Sequence, residues 1–233
     1  MSEELVRLKA ILGSANIDKL GHKHVAVFGL GGVGGHAAEA LVRSGVGEIT
    51  IIDNDVVDIS NLNRQLIATH STLGKDKVDV MEDRLKDINP NLIVHKMKLF
   101  YLPEDDSIDF STFDYVIDAI DTVSGKIGII DSCNKNNIPV ISALGCGNKM
   151  EPTKLEVSDI YKTSYDPLAK VLRKKLKEKG IKHLKVVYSK EEPLDIIEPF
   201  KSDKHSPGSS PFVPSVAGII LASEVVKDLL KSN

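Results

Sequence analysis

The sequence predicts an α/β chain: a Rossmann-like, doubly wound, mainly parallel sheet with a C-terminal inserted α+β lobe. Three observations carry this. An apolar run at residues 25–28 passes directly into Gly29, Gly31 and Gly34, in G-x-G-x-x-G spacing, and then into the helix-like HAAEALVRSG. Short apolar strands then alternate with helices of ten or more residues, the signature of parallel β-α-β units. After about residue 150 this rhythm stops and basic and proline-rich segments take over.

Residues 1–23 read as a short amphipathic helix through Leu5, Leu8, Ile11 and Leu12, with a turn at residues 13–16. Residues 25–28 form the first strand, and residues 48–52 (EITII) the second, ending at Asp53. Residues 75–89 form a helix with Val78, Met81, Leu85 and Ile88 on one face, stopped by Asn89-Pro90. Strands follow at residues 92–97, 115–120 and 138–144, with a helix at residues 124–136. Beyond lie a strand at residues 154–157, a strongly basic helix at residues 167–179 and a strand at residues 186–188. Residues 191–214 hold five prolines and read as a mobile crossover loop. Residues 215–230 close the chain as a helix with Ile219, Ala222, Val226 and Leu229 on one face. The expected organisation is a core at residues 1–150, a substrate-facing lobe at residues 151–214 and a helix at residues 215–233 returning to the core.

The 233 residues, 42% hydrophobic and 27% charged, suit a folded core rather than a disordered chain. The net charge of -3 is no global nucleic-acid signature, so RNA contact must come from a local patch. Aromatic residues are 5% and Trp is absent, which argues against a base-stacking sheet. The first ten residues lack the apolar centre of a secretory signal. The apolar stretch at residues 213–221 is interrupted by Pro214, Ser215 and Gly218, short of the ~20 residues a membrane span needs. A cytoplasmic protein without a membrane span is expected. Cys133 and Cys146 form no C-x-x-C pair, so no zinc is expected. The seven histidines show no ligand spacing, and none is assigned a role.

The glycine turn alone leaves a redox dinucleotide and ATP both open. One glycine permits the tight bend, one lets the backbone approach a phosphate, and one lets the helix pack closely on the strand. The helix N-terminus adds free N–H groups and a positive dipole. Asp53, 19 residues after Gly34, suits ribose hydroxyls in either case. The segment DNDVVDISNLNRQ then brings Arg64, on a piece opened by Ser60-Asn61 as an N-cap pair, and Lys77 opens the next helix. Two cations at the sheet's carboxyl edge suit a triphosphate whose pyrophosphate leaves. Asp118 and Asp121 end the fourth strand at the same edge; Asp118 suits a cap and Asp121 a Mg²⁺ ion.

With GLGGVGG, IIDNDVVDISNLNRQ, GKDK and VIDAID in that order, the chain resembles the ubiquitin-activating-enzyme superfamily of ThiF/MoeB/HesA type over most of residues 7–150. That resemblance implies adenylation of a carboxylate by ATP-Mg. Asp53 would hold the ribose, Asn61, Arg64 and Lys77 would contact phosphates, and Gly29, Gly31, Gly32, Gly34 and Gln65 would complete the ATP site. Asp121 would organise Mg²⁺ and the reacting carboxylate. Arg7 matches a family arginine that reaches into the partner subunit's site, which implies a homodimer. Arg64, Lys77, Asp121 and Arg7 would be the catalytic set.

From ALGCGNKMEPTKLEVSDIYKTSYDPLAKVLRKKLKEKGI onward the chain is similar to the tRNA threonylcarbamoyladenosine dehydratase branch of that family. The resemblance implies adenylation of the threonyl carboxylate on a modified adenosine beside the tRNA anticodon. An internal nitrogen or oxygen of the same group then displaces AMP and closes a ring. Lys170, Arg173, Lys174, Lys175 and Lys177 would contact the tRNA backbone, although the same charges also suit a solvated helix face. A cysteine desulfurase or sulfur-relay protein is a further partner the family brings. Asp166 departs from the pattern, standing before PLA where a cysteine is expected. Competing readings are an activator of a ubiquitin-like sulfur carrier, an NAD(P) oxidoreductase and a silent scaffold. Missing zinc cysteines count against the first, Arg64 with Lys77 against the second, and retained Arg64, Lys77 and Asp121 against the third.

Overall fold

The computed structural model describes residues 3–198 and 207–231. Among the described residues, seven strands form one sheet: β1 (His24–Phe28), β2 (Glu48–Ile52), β3 (Ile93–Met97), β4 (Tyr115–Asp118), β5 (Val140–Ala143), β6 (Leu155–Asp159) and β7 (Lys185–Ser189). Their order is β3-β2-β1-β4-β5-β7-β6, and only β6 runs antiparallel to its neighbour. The central strands are almost wholly apolar because both faces of a parallel sheet are covered. In β1, Val25 and Val27 face one layer while Ala26 and Phe28 face the other, and all four are buried. Each such large apolar side chain contributes about 1.5–3 kcal/mol by leaving water.

The helices are α1 (Val6–Leu12), α2 (Ser14–Leu20), α3 (Gly34–Arg43), α4 (Lys77–Ile88), α5 (Val123–Asn136), α6 (Pro167–Glu178) and α7 (Val213–Lys231). Ala37 and Leu41 of α3, Met81 and Leu85 of α4, and Leu221 and Val225 of α7 join the core on one face. Ile129 and Cys133 of α5 close the other face with Phe28, Tyr101, Phe110 and Phe113. Ala169, Leu172 and Leu176 of α6 pack with Val186 and Tyr188 of β7. The chain runs outward from β1 through β2 to β3, then returns to lay β4 on the other side of β1. That reversal parts the connecting segments and opens a crevice at the strands' carboxyl ends.

Several elements differ from the sequence reading. Among the described residues up to residue 23 there are two α-helices, not one, broken at Gly13 and preceded by a short 3-10 turn at Glu3–Leu5, so the expected turn at residues 13–16 is largely the start of α2. Ile11 is exposed rather than part of a buried face. On α7 the buried stripe runs through Val213, Ala217, Leu221, Ala222, Val225 and Leu229, while Ile219 faces out. A helix this uniformly apolar hides its stripe. Residues 199–206, part of the expected crossover loop at residues 191–214, lie outside the described residues. Among the described residues, no helix is long and apolar enough to cross a membrane.

Candidate nucleotide-binding site

A cavity of about 1130 Å³ occupies the crevice, its wall drawn from the glycine turn, residues 52–65, Lys77, and the segments that follow β4 and β5. It is larger than the ~300–1,000 Å³ usual for one small ligand.

The glycine turn is built as its spacing implies. Gly29 leaves β1 at φ +86°, and a Cβ there would stand 2.7 Å from the Ala119 carbonyl oxygen. A Cβ on Gly34 would stand 1.8 Å from the Gly29 carbonyl oxygen, so only glycine lets α3 begin this close to β1. Gly31 lines the cavity, where a Cβ would come no nearer than 3.9 Å to its neighbour, Gln65 Nε2. Among the described residues, no side chain caps the start of α3, leaving its first N–H groups and dipole for an anion. Asp53 fixes the turn from the end of β2. Its carboxylate accepts the Leu30 N–H at 2.6 Å and the Asp55 N–H at 2.8 Å, and its remaining lone pairs are open to hydroxyls.

The segment after β2 carries the polar wall. Asp58, not the Ser60-Asn61 pair, opens the short helical turn at Ile59–Asn61. Its carboxylate accepts the Ser60 N–H, and the Asn61 side-chain carbonyl accepts the Asp58 N–H at 3.1 Å. Asn61 is thereby held, buried, at the cavity wall. One Arg64 nitrogen donates to the Ser60 carbonyl and to Asn63 Oδ1, which sets the guanidinium along the wall. Gln65 Oε1 is buried and finds no hydrogen-bond partner among the described residues. Such an orphan costs roughly 1–3 kcal/mol unless a ligand or an amide flip satisfies it. Lys77 is buried as the first residue of α4, where its charge opposes the helix dipole. Asp55 compensates, accepting from its ammonium at 2.8 Å.

The two aspartates after β4 part company. Asp121 lies exposed on the cavity wall. Asp118 is fully buried and accepts from Lys126 Nζ at 3.1 Å on each oxygen, and from the Ser142 hydroxyl. Lys126 also donates to the Ala143 carbonyl at 2.7 Å, joining the ends of β4 and β5 through α5. Lys126 also lines the cavity, and sequence reasoning missed it. A signal existed: the lysine sits among Gly125, Gly128, Ile129 and Ile130 on the buried face of its helix.

The segment after β5 is held as firmly. Buried Lys149 donates to the Gly145 and Ser189 carbonyls, and Glu191 accepts the Met150 and Glu151 N–H groups. Asp166, which stands where the sequence resemblance leads us to expect a cysteine, caps α6 through the Ala169 N–H and also accepts the Gly145 N–H. Cys146 lines the cavity, but burial pushes its thiol up to about 12, and burial raises Cys133 as well. Neither is a thiolate nucleophile near neutral pH.

Of the remaining sequence-predicted residues, Arg7 lies exposed on α1 and is not part of the cavity wall among the described residues. Lys170, Lys174, Lys175 and Lys177 are exposed on α6, which begins at the cavity with Leu168. Arg173 does not belong with them. It turns inward and donates to the Ile160 and Thr163 carbonyls at 3.3 Å, tying α6 to the turn after β6.

A nucleotide-binding crevice at a sheet reversal, walled by an uncapped helix N-terminus and two positioned cations, is the frame of a carboxylate-adenylating protein. Residues 2–233 match the ThiF family model, and the chain belongs to the ThiF family. It is 45% identical over 245 residues to the tRNA threonylcarbamoyladenosine dehydratase of Bacillus subtilis, a match covering 99% of this chain and 96% of that protein. Among solved structures it resembles the E. coli tRNA N6-threonylcarbamoyladenosine dehydratase in complex with AMP (TM-score 0.90, 33% identity, 97% of this chain and 93% of that one). The ATP complex of the same E. coli enzyme gives TM-score 0.87 at 33% identity, over 98% and 94% of the two chains.

Proposed function

We propose that this chain is an ATP-dependent enzyme that adenylates and then cyclises threonylcarbamoyladenosine in tRNA, with net loss of water. The observation that carries this reading is the convergence of the glycine turn, Asp53, Asn61, Arg64, Gln65, Lys77 and Asp121 on one cavity. For a redox dinucleotide the helix N-terminus already meets the pyrophosphate, so two further cations beside it favour a triphosphate.

The Asp53 carboxylate keeps lone pairs for the ribose hydroxyls while holding the glycine turn. The α3 N-terminus, Arg64 and Lys77 bear on the phosphates, and Gln65 has an unmet polar atom for the nucleotide to satisfy. Asp121, a hard oxygen donor on the wall, would hold Mg²⁺, which when bound neutralises phosphate charge. Attack of the substrate carboxylate oxygen on the α-phosphorus breaks the bond to pyrophosphate and forms an acyl-adenylate. Arg64 and Lys77 stabilise the negative charge that leaves with pyrophosphate. The internal nucleophile, losing its proton, then attacks the acyl carbon and AMP departs. Ring closure within one molecule needs no covalent enzyme intermediate, in keeping with the raised thiols of Cys133 and Cys146.

In this reading residues 1–150 are the adenylation core and residues 151–214 face the tRNA, whose backbone the exposed lysines of α6 contact. Arg7, exposed and away from its own cavity, completes the site of a second copy in a cytoplasmic homodimer. The test is incubation with ATP-Mg and tRNA bearing the threonylcarbamoyl group, followed by mass spectrometry of the nucleosides. Loss of one water with release of AMP is expected. No loss under conditions where the chain binds ATP would overturn the reading.

A further inference from the structure

His24, Glu48 and His95 are far apart in sequence but meet at the end of the sheet opposite the nucleotide cavity. His24 opens β1 and Glu48 opens β2, paired directly across the ladder; His95 in β3 pairs with Thr50, two residues beyond Glu48. Because side chains alternate along a strand, this register puts all three on one face. His95 Nε2 lies 2.8 Å and His24 Nδ1 3.5 Å from the same Glu48 oxygen, and one ligand atom from each residue lies within 4.8 Å of the others.

We infer that these three side chains form a binding site for a divalent transition-metal ion of the zinc type. Ligand atoms bound tetrahedrally to zinc at about 2.0–2.1 Å stand roughly 3.4 Å apart, so the trio needs a shift of about 1 Å to close on an ion. The donor set of two imidazoles and one carboxylate favours zinc or its transition-metal neighbours over Mg²⁺ or Ca²⁺. His24 is oriented for ligation: its Nε2 is hydrogen-bonded at 2.8 Å to the buried hydroxyl of Thr50, which turns Nδ1 toward Glu48. The Phe113 ring stands edge-on to His24 at 5.0 Å and walls the inner side. On the outer side His95 is 51% exposed and Glu48 35%, leaving an approach for the ion and a fourth position for water. The bound ion would tie the edge strand β3 to β2 and β1, without touching the adenylation site.

The site is distinct in kind from the C-x-x-C pairs whose absence underlies the expectation of no zinc. Its test uses the full chain, stripped by chelation and titrated with zinc chloride by calorimetry, together with the His95→Gln and Glu48→Gln variants. One zinc per chain is expected, with affinity at least tenfold weaker in each variant while ATP binding is unchanged. X-ray absorption of the zinc-loaded chain should show nitrogen and oxygen neighbours only. Absence of stoichiometric binding, unaltered affinity in both variants, or a sulfur neighbour pointing to Cys146 would each overturn the inference.

Discussion

Replacing Lys126 with methionine keeps nearly the length of the side chain and removes its charge, so it isolates what the buried ammonium does. Asp118 is then left with the Ser142 hydroxyl and the Ile120 N–H at 3.3 Å as its only remaining donors among the described residues. Both members of the ion pair are about 99% or more buried, so water cannot stand in for the missing cation. Breaking a buried pair from one side costs about 3–5 kcal/mol, because the surviving charge is uncompensated. For a chain of this length each 1 kcal/mol lowers the melting temperature by about 2–4 °C, so a fall of roughly 6–20 °C is expected. Asp118→Asn in the same background removes the stranded charge, and the double variant should regain about 2 kcal/mol over Lys126→Met. Urea denaturation of the four proteins measures the coupling. A Lys126→Met chain within ~1 kcal/mol of the unaltered protein, or strictly additive substitutions, would refute the account. Nucleotide affinity should fall in parallel, since Lys126 also holds the Ala143 carbonyl where β5 meets the cavity.

Other outcomes follow from single distances. Gly34→Ala places a methyl group 1.8 Å from the Gly29 carbonyl oxygen and should lower the melting temperature as well as abolish ATP binding. Gly31→Ala meets no atom closer than 3.9 Å, so it should melt normally yet bind ATP at least about tenfold more weakly; unchanged affinity would mean phosphate does not approach there. Burial chiefly holds His36 below the usual imidazole value, Arg84 pulls the same way, and Glu39 and the Arg64 backbone pull against it. The unfolded chain therefore takes up a proton before the folded one does. The stability involved is intact above about pH 6.5 and is lost as pH falls through the lower folded value, at no more than ~1.4 kcal/mol per pH unit. His36→Gln should flatten urea midpoints between about pH 7 and pH 5, and an unchanged slope would assign it elsewhere. Substituting Lys170, Lys174, Lys175 and Lys177 by alanine should weaken tRNA binding and flatten its salt dependence without changing stability. Arg173→Ala should instead cost stability, about 2 kcal/mol for charged hydrogen bonds to half-buried carbonyls, and leave the salt slope alone.

The parts of this molecule that are legible in the sequence are those where local pattern and tertiary role coincide. An unbroken apolar run, three spaced glycines and a strand-ending aspartate specify the β1–α3–β2 unit because every one of those residues acts on its near neighbours. Arg64 and Lys77 can be placed at the cavity because strand ends share one edge. What escapes is set by distant chain. Lys126 answers an aspartate one strand back and a hydroxyl one strand ahead, and Arg173 is drawn from its basic helix by the carbonyls of the turn after β6. His24, Glu48 and His95 acquire a common face only through the register of three strands. The cap at Asp58 is hidden for a different reason: Ser60 and Asn61 are equally good capping types, and only the backbone geometry distinguishes them from Asp58.

Two lysines reach the same cavity, and their partners decide which one is free to meet a phosphate. Lys77 is paired with Asp55, whose side chain is 57% exposed, so a carboxylate that loses the ammonium is solvated by water. Lys126 is paired with a carboxylate that water does not reach, so letting go would leave a buried charge uncompensated. An arriving triphosphate, offering more negative charge than Asp55, can therefore draw the Lys77 ammonium to itself, while Lys126 stays on Asp118. Asp55 compensates the buried cation, and under the proposed function the nucleotide would take its place. In the proposed function Lys77 would serve the chemistry and Lys126 the frame that holds it, although both are buried and both border the cavity.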